Sequence, residues 1–302
     1  MNDIIQSLSD EFKDICFVKG QRDGRYPYAH SMLIGDYLID TGISSGFIRK
    51  LKRKVSINNV LLSHWHEDHI SGNRLLPKAK FFCHIKDKPI IEDVQKMFEF
   101  YYVNDDPEQI KLFTTILESL RLKNIKVTEI IKDNDIIEVG DDYKIRVLHT
   151  PGHSAGHCCF YEINSKIAFL ADIDLSSFGP WYAGIDSNLM EFEESIDKML
   201  ALDIDIAVTS HKGIIKGKNN VKEGLTKYKD ITIKRDEIIL SKLSEVKPLS
   251  PKDLANKNLI YKYYTEYELY EIMAEEIMIQ LHFDKFLKNN LIEQKENGYI
   301  LS

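Results

Sequence analysis

The decapeptide SHWHEDHISG, residues 63–72, limits what this chain can become more than any other stretch. It holds three of the ten histidines and two acids, directly after the apolar run Val60-Leu61-Leu62. In an extended segment the side chains at i and i+2 point the same way, so His64 and His66 can face one cation together. Asp68 and His69 are neighbours and do not both continue that pattern. A turn at the strand's end, with Ser71-Gly72 opening a helix, is expected to swing them to a second position. A pattern HxHxDH arises in roughly one shuffle in a thousand of a chain with this composition, so a mere polar network at a strand end is the weaker reading. Two half-built sites need completing from elsewhere. HTPGHSAGH offers His153, IAFLADIDL offers Asp172 and IAVTSHKG offers His211, each at the end of an expected strand, where a buried strand delivers a ligand to a sheet edge.

The rest of the chain is that of an ordinary globular protein: 302 residues, 43% hydrophobic and 29% charged, enough for a large core and unlike a disordered chain. The start MNDIIQSLSDEFKD carries acids where a signal peptide is basic, and no apolar stretch approaches the roughly 18 residues of a membrane span. A cytoplasmic protein without membrane contact is the expectation. Cys16, Cys83, Cys158 and Cys159 lack CxxC spacing and read as buried free thiols rather than as chemistry.

Short β-rich runs alternate with helical ones up to about residue 215, with strands expected at 15–19, 31–34, 37–40, 59–63, 80–83, 144–150, 157–162, 166–171 and 206–210. A helical insertion at about 87–123 interrupts them. Its aromatic cluster Phe98, Phe100, Tyr101 and Tyr102 reads first as helix-on-sheet packing, with a pocket wall or oligomer contact as the alternative. Beyond His211 the pattern becomes helical: a long helix capped by Asn219, then LSPKDLA, then AEEIMIQLHFDKFLKNNL, then a hairpin turning at Asn297-Gly298. This order outlines a winged helix, and the domains read as 1–218 and 219–302. Residues 212–262 hold 13 Lys and Arg against 6 Asp and Glu, which reads as a solvated face before it reads as a nucleic-acid track.

With Asp40 in IDTG, the cluster 64–69, His153, Asp172 and His211 in order over about 170 positions, the chain resembles the metallo-β-lactamase superfamily. The resemblance implies an α/β (α+β) fold, a four-layer αββα sandwich with a helical insertion and a C-terminal helical, winged-helix-like domain. It implies that His64, His66 and His153 hold one metal, that Asp68, His69 and His211 hold a second, and that Asp172 bridges them above a supporting Asp40. His149 and His157 have no ligand place in it and read as packed or hydrogen-bonded core residues rather than catalytic ones. A weaker likeness of residues 228–301, including Arg235 and Leu240, points to the branch that adds a linker helix and a winged-helix-like module, seen in thioesterase-like hydrolases and an endoribonuclease.

Two cations roughly 3.5–4 Å apart lower the pKa of a shared water from 15.7 toward about 7. Asp68, His69 and Asp172 are then the catalytic set, with Asp68 steering the hydroxide or taking its proton. Mixed N and O ligation favours zinc and also accepts iron or manganese. Flavin-linked diiron relatives place glutamate where His66 stands, which weakens a redox role. The expected reaction is hydrolysis of an ester, thioester or lactone of a small molecule, with Trp181 and Tyr182 as candidate substrate contacts. A nucleic-acid phosphodiesterase or endoribonuclease is one alternative. Against it, residues 1–211 carry 24 basic and 33 acidic groups. A diiron redox or sensor protein with a binding winged helix is the other. Oligomerisation is left open.

Overall fold

The structure is a computed structural model describing residues 4–101, 107–244, 246–255, 257–265 and 268–302. Two sheets face each other. The first runs in order through β1 Ile5–Ser7, β2 Ile15–Val18, β3 Ser31–Ile34, β4 Tyr37–Ile39, β5 Asn59–Leu61, β6 Lys80–His84 and β7 Glu129–Ile131. The second comprises β8 Ile136–Val139, β9 Tyr143–His149, β10 Cys158–Glu162, β11 Ile167–Ala171, β12 Ile206–Thr209 and β13 Gly213–Lys216, in spatial order from β13 back to β8. Strands β4 to β7 are parallel, as are β11 and β12; the other pairs are antiparallel. The helices are α1 Ser45–Leu51, α2 Glu67–Ile70, α3 Lys88–Glu92, α4 Met97–Phe100, α5 Pro107–Leu120, α6 Leu189–Leu200, α7 Lys218–Leu240, α8 Pro251–Ala255 and α9 Glu268–Lys288. A hairpin of β14 Ile292–Lys295 and β15 Gly298–Leu301 follows.

Three apolar layers account for this arrangement. Central strands read as continuous apolar runs because both of their faces are covered. Successive side chains then go to different cores. Leu61, Val147, Phe160, Phe169 and Val208 meet between the sheets. Val60 and Leu62 turn outward onto α1, α3 and α5, among Ile48, Ile90, Phe113 and Leu117. Leu148, Cys159, Ala168 and Leu170 turn the other way, onto Phe192 of α6, Leu225 of α7 and Met278, Phe283 and Phe286 of α9. The αββα sandwich is therefore present, and its second outer layer includes the C-terminal helices. Cys83, Cys158 and Cys159 are buried free thiols, whereas Cys16 is half-buried.

Several local expectations are corrected. The helix after the histidine motif begins at Glu67, not at Ser71, so Asp68 and His69 ride on a single helical turn. Gly217 precedes α7, and Asn219 lies inside its first turn without capping it. In the last hairpin Lys295 pairs with Gly298, which makes Glu296-Asn297 the turn. Strands β1, β7, β8 and β13 were not anticipated, being short, polar or at sheet edges, where pairing to a neighbour rather than sequence pattern decides. The basic character of α7 is largely taken up locally: Lys218 pairs with Asp203, Lys229 with Asp197 and Lys227 with Glu223. Tyr102 lies outside the described residues. Among those described, no helix is long and apolar enough to cross a membrane.

His30 ties the loop before β3 to the frame: its Nδ1 accepts from the Gly20 N–H at 2.9 Å. Burial lowers its pKa from 6.5 to about 4. The unfolded chain takes up this proton below about pH 6.5 and the folded chain only near 4, so this contribution to stability is lost as pH falls through that window. Between pH 7 and 5 the loss is about 1–2 kcal/mol. The drop in urea midpoint over that range is expected to shrink in His30→Asn, whose amide oxygen accepts the same bond without titrating; an unchanged drop would contradict the assignment.

Candidate metal centre

All the motif residues sit past the C-terminal ends of strands along one edge of the two sheets. Asp40 follows β4, the cluster 64–69 follows β5, His153 follows β9, Asp172 follows β11 and His211 follows β12. Local backbone devices aim them. Asp40 adopts φ 62° and Ala171 φ 48°, and the register of β11 on β12 shifts between Phe169 and Ala171, which turns Asp172 out of the ladder. Gly42 lets the chain pass against the motif: a Cβ there would meet the Asp68 carbonyl oxygen at 1.5 Å.

Two donor groups result, one of His64, His66, His153 and Asp172, the other of Asp68, His69 and His211. In the first, His64 Nε2 lies 3.0 Å from His66 Nδ1, and His153 Nε2 lies 3.2 Å and 2.9 Å from those atoms. Asp172 reaches both groups. Its Oδ2 is 3.3 Å from His153 Nε2 and 3.5 Å from His211 Nε2, and its Oδ1 is 3.1 Å from His69 Nε2. Asp68 Oδ2 is 3.5 Å from His211 Nε2, and Asp68 Oδ1 is 3.8 Å from His69 Nε2.

The surrounding acceptors decide which imidazole nitrogen is free. Asp40 Oδ1 accepts from the Ser63 N–H at 2.8 Å, and its Oδ2 accepts from the Ser63 hydroxyl at 2.6 Å and from His69 Nδ1 at 2.8 Å. Because Ser63 Oγ donates to Asp40, it accepts from His64 Nδ1, 2.9 Å away. His153 Nδ1 donates to the Trp181 carbonyl at 2.8 Å and His211 Nδ1 to the Gly24 carbonyl at 2.7 Å. Four imidazoles thereby spend Nδ1–H on the frame and turn Nε2 inward, the orientation that metal-binding histidines adopt. His66 is reversed and presents Nδ1.

The donor set fits divalent cations. Two N donors on one tetrahedral zinc are about 3.3 Å apart, given bonds of about 2.0–2.1 Å, close to the separations above. His69 Nε2 and Asp172 Oδ1 face the donor groups, 3.1 Å apart, and are buried without a hydrogen bond among the described residues; such atoms are costly to bury unless something else satisfies them. The electrostatics agree. Burial opposes charge on His69, yet Asp172, Asp68 and Asp40 together hold its pKa well above the usual value. Burial likewise opposes charge on His211, and Asp172 with Asp68 raises it to about 10. The carboxylates thus create a field that draws positive charge to this point.

Other residues hold this frame: His157 in the hydrogen-bonded core role expected of it, and Tyr228 and Glu67, which sequence reasoning missed. His157 is kept neutral by burial, its pKa lowered to about 3, and its Nε2 accepts from the Asp172 N–H at 3.2 Å. The Tyr228 hydroxyl of α7 donates to the Asp172 carbonyl at 3.0 Å. Glu67, inside the motif, accepts from Tyr26 at 2.8 Å and from Tyr101 at 2.6 Å, and the Tyr101 ring stacks on His66. The position of Glu67 between two ligand candidates was the only signal for it. His149 stacks on His84 away from the centre.

A cavity of about 590 Å³ opens over the donors. The insertion contributes Tyr101, Phe113 and Ile116 to its walls, the C-terminal region contributes Tyr261 and Tyr270, and Trp181 stands between them. Tyr101 is thus a wall residue as well as a packed one, while Phe98 and Phe100 pack against the outer core. Trp181 lines the cavity as expected. Tyr182 does not: it is fully buried on the other side of the segment, where its hydroxyl meets His282 Nε2 at 2.8 Å and Arg235 Nη1 at 3.1 Å. Adjacent residues of an extended segment face opposite ways, so only one of the pair reaches the cavity.

The model of one family, the metallo-β-lactamase superfamily, matches residues 28–211. The chain belongs to that superfamily. An atrochrysone carboxyl ACP thioesterase of Aspergillus fumigatus is 24% identical over 195 residues, 65% of this chain and 50% of that protein. A hydroxyacylglutathione hydrolase of Rhizobium etli is 26% identical over 121 residues, 40% of this chain and 35% of its own length. The chain therefore spans half or less of these two relatives. A metallo-β-lactamase family protein of Thermus thermophilus shares the fold with a TM-score of 0.68 at 17% identity, covering 99% of this chain and 97% of the other. The superfamily match ends at the last donor, His211, while the similarity of fold continues through the C-terminal helices.

Proposed function

We propose that this protein is a dinuclear metal-dependent hydrolase of small-molecule thioesters, with esters and lactones as neighbouring substrates. The observation that carries this reading is the convergence of seven ligand-type side chains at the floor of an aromatic-walled cavity. The two curated relatives described above are named as a carboxyl ACP thioesterase and as a hydroxyacylglutathione hydrolase, which favours a thioester over the other acyl groups.

In this reading His64, His66 and His153 would hold one ion and Asp68, His69 and His211 the other, with Asp172, which reaches both donor groups, available to either. Two such cations, most simply zinc, would supply an acidified water and polarise the acyl carbonyl. Asp68, which faces both His69 and His211, orients that water and accepts its proton. Asp40 and the Trp181 carbonyl keep His69 and His153 in their donor tautomers. Trp181, Tyr101, Phe113 and Tyr270 exclude bulk water and take up the acyl or thiol portion. We read residues 219–302 as a winged-helix-like cap that closes this cavity rather than as a DNA reader, since the last 40 residues carry 3 basic against 8 acidic groups.

An acyl thioester, a lactone and bis-p-nitrophenyl phosphate assayed side by side test this reading. Turnover of the thioester is expected to exceed that of the phosphodiester by at least about 10³-fold, a difference of about 4 kcal/mol in transition-state stabilisation. Preferred cleavage of the phosphodiester would instead support a nucleic-acid phosphodiesterase.

A further inference from the structure

We propose that a second site, for a phosphate group, lies beside the metal cavity, formed by Arg49 of α1, Arg74 and Arg121. These three arginines line a separate cavity of about 260 Å³ together with hydroxyl-bearing residues including Tyr28, Ser45 and Ser71, and no Asp or Glu is among its lining residues. Such a grouping is unexpected in a chain with a net charge of −7. Burial, then Arg49, then Arg121 disfavour the charge on Arg74, and no Asp or Glu lines the cavity beside it. Arg74 Nη2 donates to Ser45 Oγ at 2.7 Å, while its Nε is buried with no hydrogen-bond partner. Among the described residues Arg74 Nε therefore has nothing to meet, while Arg49 Nη1 donates only to the Ser45 carbonyl, at 3.4 Å.

Guanidinium groups present paired N–H donors in a planar fork that matches phosphate oxygens. One arginine suffices for a carboxylate; three without a counter-acid suit a group with two charges and at least three acceptor oxygens. The cavity is large enough for a phosphate and a few waters. Two chain segments contribute different residues to this cavity and to the metal cavity. Tyr26 and Ile116 line the metal cavity, while Tyr28 and Ser119 line this one. Along α5 the step from residue 116 to 119 is about 5 Å. A phosphate held here is either free or the charged end of a substrate whose acyl group enters the metal cavity. The second case rests on the function proposed above; the site itself does not.

Titration calorimetry of the metal-loaded full chain with inorganic phosphate tests the site. Wild type is expected to bind phosphate at least tenfold more tightly than Arg74→Gln, and the same weakening is expected in Arg49→Gln, which alters an exposed side chain. Phosphate that binds the metal centre contributes equally to all three proteins, so only the difference counts. Isotherms that superimpose, or no binding to wild type, would overturn the proposal. The two sources separate in a kinetic arm that compares a thioester carrying a phosphate on its thiol portion with the same thioester lacking it. For a substrate handle, the phosphate lowers KM in wild type and at least tenfold less in Arg49→Gln. For free phosphate, the KM advantage is absent from both proteins while the calorimetric difference persists. Should neither thioester turn over, the calorimetric result still stands, and it is the reading of the metal centre that fails.

Discussion

Asp68→Ala is expected to lower kcat/KM for a thioester by at least about 10³-fold while the protein stays folded. Asp68, like Asp172, faces the inward Nε2 atoms of the donor imidazoles, 3.5 Å from that of His211 and 3.8 Å from that of His69. Its replacement removes both a ligand and the proton acceptor assigned above. Asp68→Asn keeps the shape and removes the charge. Comparable losses in both variants, with thermal midpoints near wild type, would place the effect on charge rather than on packing. Turnover within about tenfold of wild type in either variant would contradict the assigned role.

Deleting residues 219–302 is expected to leave a chain that aggregates and shows no cooperative unfolding. The outer face of the second sheet buries Leu148, Tyr161 and Leu170 against Leu225, Tyr228, Met278, Phe283 and Phe286. Each large apolar side chain returned to water costs about 1.5–3 kcal/mol. The three sheet side chains left uncovered together lose about 5–9 kcal/mol, comparable with the roughly 5–15 kcal/mol that holds a domain together. Phe283→Ala, a milder form of the same test, is expected to cost about 3–5 kcal/mol in urea denaturation. A soluble, cooperatively folding 1–218 fragment with unchanged kinetics would refute both the packing argument and the assignment of a cavity wall to this region.

The sequence disclosed what is local. Three histidines and an aspartate within six positions need no tertiary information to suggest a cation, and Asp172 and His211 stand out as polar residues closing apolar runs. A layered α/β plan was legible in the alternation of apolar strand runs with helical ones, whereas the αββα sandwich itself was implied by the resemblance to the superfamily. Residues whose meaning depends on distant partners were not. Ser63 and Tyr228 matter through hydrogen bonds to Asp40, His64 and Asp172, and a serine or tyrosine without its partner carries no signal. Tyr261 and Tyr270 reach the cavity from nearly 100 residues beyond Asp172, a placement set by packing of α9. Trp181 and Tyr182 looked equivalent until the segment's two faces were distinguished. The arginine trio is spread over residues 49–121, with no periodicity to mark it.

Anomalous diffraction from crystals of metal-loaded protein, collected on either side of the zinc absorption edge, tests the central claim most directly. Two anomalous peaks are expected, one among His64, His66 and His153 and the other among Asp68, His69 and His211, with Asp172 in contact with both. A single peak elsewhere, or none at full metal loading, would contradict the account.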